Sequence, residues 1–549
     1  MMQLDFDGNP VTVAPKKRQK HKPASFKPGN PNQGTFLYGD VTEIIGPTHI
    51  ARLINAVVNR MDLSAIYAQY KGGGNSAYDV GMMLKVWLLG YHYGIYTSRP
   101  LEMHLYESLP FIWIANGQRP DYWTLSAFRK RLQDDIKEIF KGVVLHAMIA
   151  GAIDGTKVTV DGTIITANAS RYRVIWSRWV KKQAAQVHEE LDRLANEITT
   201  EANRLQEAED AQFGDTNGRA ELQRELDDEA LTAIAREIEA KLKGKRGKTE
   251  DEQKAYDRAK RIQKLTNRDK KLQHQETCLA GKNSCAVHDN DAPAVMNKDG
   301  IIRPGYTEMV AAQNGFVVNY ETGNVGERTL FGKTVAGCEE NTGQTVKELS
   351  ADGGFGNEEN LALLEAKNIC GYVPFRDFYQ ERKRQWQDQV QLKDFQFGPD
   401  GKTCKCPMGK ELAWDGYKRS KSANGYERVA VIFKAAATDC AGCAIKGKCT
   451  SAKARTIEYS PNYERLKNVM RERLRSENGR EILRQRGQEV ETVYGQRKWN
   501  RRSRRFWLKG LKKVNVESGL MYTTHNLAKL WRFIVGGHGS PPRTIVLPA

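Results

Sequence analysis

Residues Lys157 to Ser170 read KVTVDGTIITANAS. β-branched residues flank Asp161 on both sides and Gly162 follows it directly, so the stretch is expected to be a buried strand that brings one carboxylate to a tight exit. A carboxylate inside such a run is costly to desolvate unless a cation or a hydrogen-bond donor meets it. A metal ion is one such partner, and turn amides beside Gly162 are the other.

Two more acids share that setting. From Leu349 the chain reads LSADGGFGNEENLALL, a short strand ending in Asp352, then glycines, then a helix with apolar residues at Leu361, Leu363 and Leu364. From Arg484 it reads RQRGQEVETVYGQRKWNRRSRRFWLKGLKKVNVES, where Glu491 lies between Val490 and Val493 on an expected amphipathic helix. Three acids, Asp161, Asp352 and Glu491, therefore stand out, each set in apolar surroundings.

DGT followed by AxAS, then ADxGF, then VExVYGxxK with a basic tail, and a late HNLxKL at His525 to Leu530, resemble the ordered motifs of the DDE transposases of bacterial insertion sequences. The resemblance runs from about Phe36 to Trp531. It implies an RNase H-like core in which Asp161, Asp352 and Glu491 are the metal-binding triad and Lys498 is the basic residue that follows the glutamate. It also implies Mg²⁺ or Mn²⁺ as cofactor, double-stranded DNA (element ends and target) as partner, and two protomers acting across paired ends.

The expected fold is an α/β RNase H-like core, a mixed sheet with helices, preceded by an all-α domain and interrupted by a helical insertion and a Cys-rich insertion. At 549 residues the chain has length for several modules. Residues 1–35, with KKRQKHK at Lys16 to Lys22, read as a basic disordered tail. Residues 36–153 turn helical, with Thr124 or Ser126 as the N-cap of one helix. The core is expected at 154–175 and again at 277–395, with a hairpin turning at Glu321 to Asn324. Between them, at 176–276, Val187, Leu191, Leu194, Ile198, Ala202 and Leu205 recur at steps of three and four, which suits a helical arm. Residues 456–549 return to the core with the Glu491 helix. Asp291, in HDND, reads as structural.

Residues 396–455 hold Cys404, Cys406, Cys440, Cys443 and Cys449. A C-x-x-C pair with two more distant thiols has the composition of a structural Zn²⁺ site, since four thiolates complete a tetrahedral shell. Cys406, which opens CPMGK, is taken as the fourth ligand with Cys440, Cys443 and Cys449, and Cys404 is the alternative. The resembled family carries a similar pattern.

Lys and Arg number 85 against 66 Asp and Glu, a formal net charge of +19, which favours a polyanionic partner. From Arg497 to Lys513 there are nine basic residues and no acid, interleaved with Trp499, Phe506 and Trp507. Basic residues with aromatics beside a catalytic carboxylate suit a DNA backbone, so Arg497, Lys498, Trp499, Arg501, Arg502, Arg504 and Arg505 are expected to contact it. No signal sequence opens the chain and no stretch is apolar enough to span a bilayer, which predicts a cytoplasmic protein without a membrane partner. The rival readings are a nuclease of the same core that does not transfer strands, and a domesticated DNA-binding protein with dead chemistry.

Overall fold

The computed structural model describes residues 41–71, 76–213, 228–297 and 299–536. The expected basic tail, 1–35, lies outside them. From Ile50–Asn59 to Ile136–Ile149 the chain is helical. Helix Val80–His92 is buried on nearly every side, as its mostly apolar sequence demands, and the one lysine within it, Lys85, donates to the Asn59 side chain at 2.5 Å. Its N-terminus is capped by Asp79, which accepts from the Met82 amide at 2.7 Å. The cap expected at Thr124 or Ser126 is instead Asp121, whose carboxylate accepts from the Thr124 amide at 2.6 Å. Asp121 has the extended backbone that an N-cap needs and its side chain carries the acceptor. The helix it starts, Tyr122–Arg131, gives way to a turn before Ile136–Ile149.

The central sheet is built from β1 (Lys157–Thr166), reached before the small strands β2 (Val174–Trp176) and β3 (Ser284–Ala286), and then β4 (Ala294–Met296), β5 (Ile302–Gln313), β6 (Phe316–Gly323), β7 (Glu348–Ala351) and β8 (Cys370–Tyr372). Its order is β4-β5-β1-β7-β8, with β6 on the far part of β5. β5 runs antiparallel to β1 and β6, whereas β7 and β8 run parallel to β1. The expected exit at Gly162 does not occur, since β1 continues to Thr166. Gly162 serves close approach instead. A Cβ there would lie 2.6 Å from Cδ of Glu327 and 2.8 Å from Sδ of Met309. The hairpin turn is also earlier than expected, at Asn314 and Gly315, both with positive φ, 52° and 71°. An Asn-Gly pair fits the two left-handed positions of a tight hairpin.

Both insertions are present. The arm consists of helices Ser177–Phe213, Asp228–Leu242 and Glu250–Leu279, the last capped by a Thr249/Glu252 capping box. Val187, Leu191 and Leu194 are buried in a separate apolar cluster with Leu231, Ile262, Leu265 and Leu272. Ala202 and Leu205 lie outside the described side chains. β2 and β3 pair antiparallel and form the arm's neck. The Cys-rich insertion is a five-stranded antiparallel sheet, with β9 (Gln396–Phe397), β10 (Cys404–Lys405), β11 (Glu411–Lys421), β12 (Glu427–Lys434) and β13 (Thr456–Tyr459) in the order β13-β12-β11-β10-β9. Its last strand carries it past the boundary expected at 455.

The terminal helix, Leu511–Val535, packs between the N-terminal helices and β6. Arg129 of the helical region meets Glu517 at 3.6 Å, and both are buried. Asn526 exchanges two hydrogen bonds with the backbone of Val317, at 2.8 and 2.7 Å.

Candidate active site

Asp161 and Asp352 are brought side by side. Val160 pairs with Ala351 across the parallel strands β1 and β7, so each aspartate follows one member of that pair. One pleat earlier, Thr159 and Ser350 share a hydroxyl hydrogen bond of 2.9 Å, which fixes that face of the sheet. Side chains two residues apart on a strand share a face, so both carboxylates project on the Thr159/Ser350 side. Asp161 Oδ1 accepts from the Gly162 amide at 2.8 Å, and Asp352 Oδ1 from the Gly354 amide at 2.6 Å.

Helix Glu477–Gly495 lies over that face, against β1, β5, β7 and β8. Val490, Val493 and Tyr494 are its buried stripe. The Tyr494 hydroxyl donates to the carbonyl of Asp161 at 2.8 Å. Burial first, then the nearby Tyr522 and Asp161, hold this phenol well above its ordinary pKa. Glu489 leaves the helix toward β5, accepting from the Gly315 amide at 2.7 Å. Glu491 is about 200° further round the helix, on the flank away from Glu489. Its side chain is exposed and lies back along its own helix, with the carboxylate carbon 3.6 Å from the point where a Cβ on Gly487 would stand.

After Gly495 the helix widens into one π turn, Gln496–Asn500. This turn sends adjacent residues in opposite directions. The Lys498 ammonium donates to the Thr163 hydroxyl, two residues beyond Asp161 on the same face. Arg497 goes inward, with 2% of its side chain exposed, and pairs at 2.8 Å with the fully buried Glu308. Glu308 also accepts from the Ser518 and Tyr522 hydroxyls. Arg497 is thus removed from the expected DNA contacts, because leaving the core would strand Glu308 as an uncompensated buried charge. Arg501 is likewise held inside, near Thr524 and Met521, and burial lowers its pKa to about 10. Lys498 is half-buried, whereas Trp499, Arg502, Arg504 and Arg505 stay exposed. The Arg504 guanidinium stacks 3.7 Å above Trp499.

Glu308 was not singled out in the sequence, although it lies in an apolar run, YTEMVAA, as Asp161 does. Glu327 was also missed. It closes on β1 from the side to which Gly162 points, and the strand-interior glycine was its signal. Asp291 is structural, as expected, accepting from the Leu511 amide at 2.8 Å and pairing with Lys282 at 3.6 Å.

Among the described residues no group of three or more His, Cys, Asp or Glu side chains stands at metal-ligand spacing. The donor chemistry nevertheless fits a hard cation at the sheet, since Asp161 and Asp352 each engage a neighbouring amide through one oxygen and follow paired residues of adjacent parallel strands. At the second sheet, burial raises the Cys449 thiol; Arg455 opposes this, while Cys440, Cys443 and Cys406 push the same way, so each of these three lies within electrostatic reach of Cys449. Cys404 is fully buried in the apolar cluster of that sheet, and burial raises its pKa to about 11.

Among the described residues no helix is long and apolar enough to cross a membrane. A family model for a transposase DDE domain matches residues 405–531, which include Glu491 and Lys498. A second, for a transposase domain known as DUF772, matches residues 40–131, the N-terminal helices. No curated protein and no solved structure matches the chain. A transposase model matched in the N-terminal helices and another over the C-terminal motifs together support a DDE transposase of the insertion-sequence type.

Proposed function

We propose that this transposase binds the ends of its element as a dimer, cleaves them by metal-dependent hydrolysis, and joins the freed 3′-hydroxyls to target DNA in the cytoplasm. The observation that carries this reading is the adjacency of Asp161 and Asp352 on parallel neighbouring strands, beneath the helix that bears Glu491 and Lys498. The strand order β6-β5-β1-β7-β8, with only β5 antiparallel to β1 at its side, supports an RNase H-like core.

In this reading Asp161, Asp352 and Glu491 hold Mg²⁺ or Mn²⁺. Such an ion supplies Lewis-acid charge that makes a water or 3′-hydroxyl a better nucleophile and steadies the departing oxygen. The protein's own part is placement. Hydrogen bonds from the Gly162 and Gly354 amides fix the aspartate rotamers. Lys498, anchored at Thr163, offers a point charge to the phosphate beside the cut. Trp499, Arg502, Arg504 and Arg505 line the exit of the DNA. The four thiols Cys406, Cys440, Cys443 and Cys449 hold a structural zinc.

Glu491→Gln tests the site, because it keeps size and hydrogen bonding while removing the charge. The variant is expected to bind element ends as the wild type does and to leave them uncut in Mg²⁺ or Mn²⁺. Cutting at the wild-type rate would remove Glu491 from the reaction.

A further inference from the structure

We propose that the root of the helical arm is a stacking platform for unpaired DNA bases, a role that rests on the transposase reading above. Residues 168–182, NASRYRVIWSRWVKK, contain Arg171, Arg173, Arg178, Lys181 and Lys182 and no acid. They also present three aromatics to solvent: Tyr172 at 80% exposure, Trp176 at 43% and Trp179 at 50%. These are not side chains that failed to find a core, because Ile175 and Val180 from the same stretch fill the arm's apolar cluster.

Charge distinguishes the root from the rest of the arm. Further out, Arg258 pairs with Glu201, Arg261 with Glu190 and Lys254 with Glu250. Among the described residues none of the five root cations is paired with a carboxylate; Arg173 meets His288, and the Arg171 guanidinium stacks 4.5 Å from the Tyr172 ring. A guanidinium on an exposed aromatic recurs at Arg504 and Trp499.

The fold brings these two segments together. Asn168 donates to the carbonyl of Trp507 at 2.6 Å and accepts from Arg505 at 2.8 Å, while Thr166 and Phe506 are joined through their backbones at 2.9 Å. Root and post-helix segment are thus joined at Thr166 and Asn168, and Tyr172, Trp176, Trp179, Trp499 and Trp507 are exposed along the two segments. The junction lies at the end of β1, five residues past Asp161, or about 16 Å at strand rise. Flat exposed rings have no use for the outside of a paired duplex, which offers phosphates; they bind bases whose faces are free. The occupant that fits is therefore a DNA strand with unpaired bases, held beyond the end of β1 from the scissile phosphate.

The test uses the full-length chain and two kinds of probe: its element end as a fully paired duplex, and the same end with a short unpaired stretch set at successive distances from the cut. Wild type is expected to show tryptophan quenching on the unpaired probe. The triple variant Tyr172→Ala, Trp176→Ala, Trp179→Ala should bind that probe at least about tenfold more weakly and keep its affinity for the duplex within about twofold. A second variant, Tyr172→Phe, Trp176→Phe, Trp179→Phe, keeps the rings and should restore binding. Equal losses on both probes, or no quenching in the wild type, would overturn the platform. The transposase reading fails separately, if the wild type neither binds nor cuts the paired end.

Discussion

The helical arm and the Cys-rich sheet interrupt the same core, yet they hold themselves together differently. The arm buries Val187, Leu191, Leu194, Leu231, Ala259, Ile262, Leu265 and Leu272 along a seam that three helices share. The sheet buries Phe395, Leu412, Val431, Phe433 and Ile457, and most of β11 is exposed. A small two-faced sheet with so few apolar side chains is the kind of module that commonly needs a metal or disulfide. It is also tied to the core by one buried acid: Glu358 accepts from Tyr426, Arg428, Ser460 and Asn462. The arm is joined through the β2/β3 neck. Apolar seam in one case and polar attachment in the other predict different responses to damage.

The largest response is expected from Cys443→Ser. In wild-type protein purified without chelator, metal analysis should find about one zinc per chain; the variant should lose it and unfold the sheet locally, since structural zinc binding is folding free energy. Protease should then cut between residues 396 and 459 while the arm stays resistant. Wild type free of zinc would reduce the contrast to one of packing alone.

Next in size is Leu191→Ala, which empties a buried position in the arm. A cost of about 3 kcal/mol is expected, confined to the arm, as a lowered first transition in a thermal melt with the sheet's protease pattern unchanged. If core and arm melt together in both proteins, the arm is not the independent unit its cluster suggests.

The smallest response belongs to the core that both insertions leave. His525 is fully buried, with Nε2 2.9 Å from the carbonyl of Gly315, and burial lowers its pKa to about 4. Its folded pKa is below the unfolded value, so the neutral form is favoured on folding. The resulting stability is complete above about pH 6.5 and is lost as pH falls toward 4, by about 2 kcal/mol at pH 5. Denaturant melts at pH 7 and pH 5 measure this, and His525→Asn should flatten the difference in the core transition alone.

Much of this was legible beforehand. The arm followed from apolar spacing, and the strands that set Asp161 beside Asp352 from their β-branched and apolar runs, because periodicity and desolvation are local properties of a sequence. What escaped depended on partners far along the chain. Asp161 and Glu308 obey the same rule, an acid in a β-branched or apolar run, and only tertiary structure shows that Glu308 is consumed by Arg497, Ser518 and Tyr522. Likewise a run of nine cations reads as one surface until a π turn sends Arg497 inward and Lys498 to the sheet face. The Asn314-Gly315 turn and the strand-interior Gly162 were readable from local rules, and stronger-seeming neighbours displaced them.

The terminal helix also has a consequence in time. Leu520, Met521, Tyr522 and Leu527 share one apolar cluster with Ile54, Leu84, Trp87 and Leu88 of the N-terminal helices. Those helices are synthesised several hundred residues earlier. At about 5–20 residues per second on a ribosome, they wait tens of seconds for the partner that covers them. Through that interval the helical domain has an open apolar side, the buried Arg129 lacks Glu517, and Arg497 and Glu308 lack Tyr522. Closure of this shared core is therefore a late, single event that waits for helix Leu511–Val535, so a chain truncated before that helix should be aggregation-prone and not merely inactive.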